Sequence, residues 1–108
     1  MTPTQNEMKL LVASMLPDKI DISSWGGIFW KTASAVDPEI LETEWLHVCW
    51  LAEETLSDLE WCLYDSAICL VCQDKRLDWG RIGIHLHASA DDKCEALCRV
   101  RHPERFTT

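Results

Sequence analysis

Four helix starts are written into this chain as capping signals, and they fix its class before any other feature does. Thr2 followed by Pro3 has the form of an N-cap with proline at the first helical position, where the missing N–H costs nothing. Met8, Leu11, Val12 and Met15 share one helical face up to the stop at Pro17, which predicts a first helix from Pro3 to Met15. Asp37-Pro38 repeats the signature and opens a second helix ending near Leu56. Ser57-Asp58-Leu59-Glu60 is a capping box, in which the hydroxyl and the later carboxylate each satisfy a backbone N–H, and it starts a third helix running to Gln73. Ser89, with Asp92 three residues on, opens a fourth that carries Cys94, Leu97, Cys98 and Val100 before Pro103.

The segments between are of two kinds. Residues 17 to 36 mix Pro17, Gly26 and Gly27 with Ile22, Trp25, Ile28, Phe29 and Trp30, a packed loop with a short strand at 28–30. Beyond the turn-rich stretch from Gln73 to Gly83, Ile82, Ile84 and Leu86 alternate with Gly83, His85 and His87 in the period of a strand. The expected fold is therefore mainly α, a compact four-helix single domain over residues 1–108, with one small β-hairpin pairing 28–30 with 82–87. Apolar residues at 47% and charged residues at 26% are ordinary for a folded globule. No run approaches the roughly 18 apolar residues of a membrane span, and the N-terminus lacks a signal-peptide core, so a cytoplasmic protein is expected.

Charge is distributed far from evenly. From Thr32 to Asp74, forty-three residues hold ten carboxylates and no Lys or Arg, together with Trp45, Trp50 and Trp61. Three acids against three bases precede this block and five against seven follow it, so the block's −10 accounts for the chain's whole negative balance of −8. Direct nucleic-acid or membrane-surface binding needs clustered Lys and Arg and is not expected. The electrostatic partner is a basic protein surface.

At about 100° per residue, Leu41, Trp45, Val48, Cys49, Ala52 and Leu56 of the second helix form a core stripe. Glu39, Glu42 and Glu53 occupy another sector, and Leu46 and Trp50 lie among them. Two readings follow: either the Ile28-Phe29-Trp30 loop covers Leu46 and Trp50, or Trp50 is an exposed anchor within an acidic rim. The third helix is apolar nearly all round, from Leu59 and Trp61 to Leu70 and Val71, and is expected at the centre of the fold. Its Asp65 is expected to reach solvent or one of Lys75, Arg76 and Arg81, because a carboxylate is costly to bury alone.

Six cysteines include Cys69-x-x-Cys72 and Cys94-x-x-x-Cys98, with His85-x-His87 between them. Cys69, Cys72, His85, His87, Cys94 and Cys98 are the candidate zinc ligands. Both cysteine pairs sit in apolar helical patterns without knuckle turns, which favours core positions over a metal site, and a reduced compartment disfavours a disulfide. No phosphate-binding glycine loop, H-E-x-x-H or G-x-S-x-G occurs, so neither an enzyme nor a cofactor is expected.

Two stretches carry a resemblance. Glu44-Trp45-Leu46-His47-Val48-Cys49-Trp50-Leu51-Ala52-Glu53-Glu54-Thr55-Leu56-Ser57-Asp58-Leu59-Glu60-Trp61 and His87-Ala88-Ser89-Ala90-Asp91-Asp92-Lys93-Cys94-Glu95-Ala96-Leu97 together resemble small uncharacterised proteins of tailed phages and prophages, over about residues 40–100. In those, L-[ST]-x-x-[EQ]-W joins two helices and H-A-[ST]-A-x-Q-R-x-E-A-[FL] opens a third; here Asp92 and Lys93 stand in place of Gln and Arg. The resemblance implies a phage or mobile-element origin in a bacterial host cell. A small acidic protein of that origin is expected to inhibit a host defence system, in the manner of an anti-CRISPR, by occupying the basic nucleic-acid-binding cleft of a defence complex through Glu39, Glu42, Leu46, Trp50 and Glu53. The alternatives are a homodimeric regulatory or accessory protein, and a zinc-binding regulator.

Overall fold

The computed structural model describes residues 2–32, 36–73 and 80–106. The protein is mainly helical, with a small two-stranded antiparallel sheet. Five α-helices, one more than the capping signals predict, occur among the described residues: α1 (Gln5–Ala13), α2 (Trp45–Glu53), α3 (Asp58–Cys72), α4 (Gly80–His87) and α5 (Ala90–Arg101).

Helix α1 starts two residues later than predicted because a better cap is available. The Thr4 hydroxyl accepts from the Glu7 N–H at 3.2 Å, and the Glu7 carboxylate accepts from the Thr4 N–H at 3.2 Å. This box satisfies two terminal donors, where Thr2-Pro3 offers one cap. The capping box of α3 and the N-cap of α5 are those expected: the Ser57 hydroxyl accepts from the Glu60 N–H at 3.3 Å and the Ser89 hydroxyl from the Asp92 N–H at 3.1 Å.

The hairpin joins β1 (Ile20–Ile22) to β2 (Ile28–Trp30), with Ile20 opposite Trp30 and Ile22 opposite Ile28. Its turn is built by Ser23, whose hydroxyl accepts from the Gly27 N–H at 2.7 Å, and by Gly26 at φ +93°, a left-handed conformation that side chains resist. The other edge of β2 is also occupied. The Trp30 N–H donates to the Pro38 carbonyl at 2.8 Å, the Ile40 N–H to the Ile28 carbonyl at 3.1 Å, and Phe29 bridges Glu39.

That pairing corrects two expectations. Asp37-Pro38 does not open a helix, because residues 38–40 are extended along β2 and the Asp37 carboxylate turns back to the Thr32 N–H and hydroxyl, each at 3.0 Å. The second helix follows only after a 3-10 turn at Glu42–Glu44 and begins at Trp45, which leaves Leu41 outside the core stripe and exposed. With both edges of β2 taken, residues 82–87 have no strand to join. They form α4, whose Ile84 is buried along with Ala88 just past its end, while Ile82 and Leu86 face outward.

Helix α5 holds the centre. Lys93, Cys94, Ala96, Leu97 and Cys98 are all buried, and α5 packs on α1, α2 and α3. Helix α3, expected there, buries only the stripe of Tyr64, Ile68 and Cys72. Leu59, Leu63 and Leu70 on its other side are 70%, 51% and 53% exposed. Among the described residues no helix is long and apolar enough to cross a membrane.

Candidate interaction surface

Helix α2 contributes a divided surface. Trp45, Val48, Cys49 and Ala52 point into the core, as their spacing predicts. Leu46 and Trp50, one turn apart, are 36% and 52% exposed. The Trp30 ring instead lies 5.8 Å from that of His47. Trp50 therefore presents an open aromatic surface, flanked one turn on by the exposed Glu54.

Glu53 does not belong to that surface. Its side chain is 12% exposed and is held inward by Lys93 Nζ at 3.0 Å and by the hydroxyl of Tyr64, which donates to the same carboxylate. Burial, and then the carboxylate beside it, push the Tyr64 phenol well above its ordinary range, so it remains a donor. Trp61 stands three residues before Tyr64 on α3, its ring 5.5 Å from the tyrosine and edge-on to it. Trp50 stands three residues before Glu53 on α2. Two partly exposed tryptophans are thus each one turn from the Glu53–Tyr64 hydrogen bond that ties the helices together.

The acidity of the block is partly neutralised by bases from outside it. Lys9 reaches Glu42 at 3.4 Å and lies 5.3 Å over the Trp45 ring, Lys93 takes Glu53, and Arg101 Nε meets Glu60 at 2.6 Å. His85 Nε2 lies 2.8 Å from Asp65. It supplies a titratable neighbour that the sequence did not place; Lys75, Arg76 and the Arg81 side chain lie outside the described residues. Among the described residues, the carboxylates of the block that stay open to solvent are Glu39 on the edge beside β2, Glu42 despite its bridge, Glu54 and Asp58. Of the five residues expected to make the contact, Leu46, Trp50, Glu39 and Glu42 are exposed and Glu53 is not. Sequence reasoning missed Glu54, although its spacing of four from Trp50 was visible.

The cysteine and histidine candidates are dispersed. Cys94 meets Cys49 with the sulfurs 3.5 Å apart, Cys98 donates to the Met8 carbonyl at 3.4 Å, and Cys72 lies 3.8 Å from the Asp92 carboxylate. Cys69 is half-buried, His85 is engaged with Asp65, and His87 is exposed at the end of α4. Among the described residues no three His, Cys, Asp or Glu side chains converge as a metal ion would need. Comparison with family models, curated proteins and solved structures finds no match for this chain.

Proposed function

We propose that this chain is a small interaction protein of phage type that inhibits a bacterial host defence system, as an anti-CRISPR does, by docking on a basic protein surface. The observation that carries the reading is the row Leu46 and Trp50 on α2 and Glu54 at its C-cap, a half-exposed tryptophan between an apolar neighbour and a carboxylate. Buried aromatic anchors surrounded by a polar rim are where interfaces concentrate their binding energy. Glu39, Glu42 and Glu54 are all exposed, so these carboxylates face solvent. A cleft that grips nucleic acid through Lys and Arg is the basic surface such a rim fits, and the cytoplasm of the host is where they meet.

Expression of the chain in bacteria carrying an active CRISPR system should restore plaques of a targeted phage. Trp50→Ala and Glu54→Lys, both at exposed positions, should abolish that rescue while leaving the fold intact. Association with the purified target should weaken as salt rises. Rescue that survives both substitutions, or an association indifferent to salt, rejects the reading.

A further inference from the structure

Among the described residues, helix α3 carries a second uncovered face, chemically unlike the first. At about 100° per residue, Leu59, Cys62, Leu63, Ser66, Leu70 and Gln73 fall within roughly 100° of arc opposite the Tyr64, Ile68 and Cys72 stripe. All six are exposed and none is charged. A helix that is apolar on both sides is normally buried on both sides. Alongside this face, Leu63, Ala67 and Leu70 of α3 with Arg99, Val100 and Pro103 line an open groove of about 510 Å³.

We infer that this face is a homodimer interface in which α3 packs antiparallel against α3 of a second copy. Three observations choose this occupant. The chain carries −8 overall, and a like-charged copy can approach closely only over a surface without carboxylates, which this face is. A basic partner would find no acid here to meet, and a small ligand seated in the groove would leave Leu59 and Cys62 uncovered. The face is also self-complementary about Ser66 and Ala67: a two-fold axis there sets Leu63 of each copy beside Leu70 of the other, with small residues at the crossing where the helix axes come nearest. The antiparallel sense follows from that axis and opposes the two helix dipoles, which a parallel pair would align.

An interface of ordinary size takes about 800 Å² from each chain. A helix about 22 Å long does not supply that alone, so Val100 and Pro103 across the groove join the contact. The dimer is independent of the Trp50 surface on α2 and would present two copies of it.

Sedimentation velocity on the full chain, at up to about 100 µM, above the µM-to-pM range in which interfaces of ordinary size dissociate, tests the proposal. Wild type should sediment as a dimer, and Leu63→Glu and Leu70→Lys should each sediment as folded monomers with unchanged circular dichroism. Mixing the two variants should restore a heterodimer, since the antiparallel register faces the new Glu with the new Lys and leaves the other Leu63–Leu70 contact intact. A wild type that stays monomeric, or a dimer that survives either single substitution, overturns the interface. Monomeric variants that fail to recombine overturn the antiparallel register. Loss of dimer with phage rescue retained, or the reverse, separates this proposal from the function proposed for α2.

Discussion

Lys93 Nζ lies 3.0 Å from Glu53 Oε2, with side chains 5% and 12% exposed, so the pair joins α5 to α2 almost out of reach of water. Taking one partner away strands the other's charge in the interior, which costs about 3–5 kcal/mol. Lys93→Met should therefore lower unfolding free energy by about 3 kcal/mol in urea titration. Adding Glu53→Gln should return part of that loss, since the amide oxygen still accepts from Tyr64 without bringing a charge. A loss below about 1 kcal/mol for Lys93→Met, the range of an exposed pair, would show that the ion pair contributes little.

The two tryptophans of α2 differ in burial, not in chemistry. Trp45 is enclosed by the core while Trp50 is half in water. Trp45→Ala should cost about 3–5 kcal/mol, and Trp50→Ala within about 1 kcal/mol of wild type. Denaturant midpoints of the two variants check this. Equal losses would mean that Trp50 is packed.

Acid should loosen the α2–α3 junction. The Ser57 backbone N–H and then the Arg101 guanidinium hold the Glu60 carboxyl below its ordinary value of 4.5. Because the folded value is the lower one, this contribution is complete above about pH 4.5, where the unfolded carboxyl is also ionised, and is lost as pH falls through the folded value. Urea titrations between neutral pH and pH 3 should show wild type losing stability on the acid side. Glu60→Gln should show a shallower decline, and superimposable acid limbs would count against the assignment.

The thiols should separate into classes. Cys62 is exposed and Cys69 half-buried, whereas Cys49, Cys72, Cys94 and Cys98 are enclosed. Burial pushes the Cys98 thiol up to about 12, and the neighbouring Cys49 sulfur together with burial raises Cys94 further. Since the thiolate is the reacting form, Ellman's reagent on native protein diluted until it is monomeric should titrate Cys62 quickly and Cys69 slowly. The remaining four should react only on unfolding. Rapid labelling of Cys94 in native protein would contradict its burial.

What the sequence made legible follows from range. Ser57 and Ser89 were readable as caps because a cap is a contract between residues three apart, and the α2 stripe from Trp45 to Leu56 because burial repeats with the helical turn. Asp37-Pro38 misled because its outcome was settled at long range, by Trp30 and Ile28 offering β2 an edge that residues 38–40 fill. Ile82, Ile84 and Leu86 misled because three alternating residues fit a strand or a short helix equally. Trp50 was identified as a misfit on α2, but its exposure depended on what did not cover it. Glu53 was misassigned because its partners, Lys93 and Tyr64, come from two other helices.

The placement of α5 has a consequence for how the chain is made. It is the helix against which α1, α2 and α3 all pack, and it is the last of the five to leave the ribosome. Until it emerges, α1, α2 and α3 lack the helix on which their apolar stripes close together, so those contacts wait for α5. Closure of the core therefore depends on residues 90–101, and a nascent chain stalled before Ala90 should be one that chaperones hold.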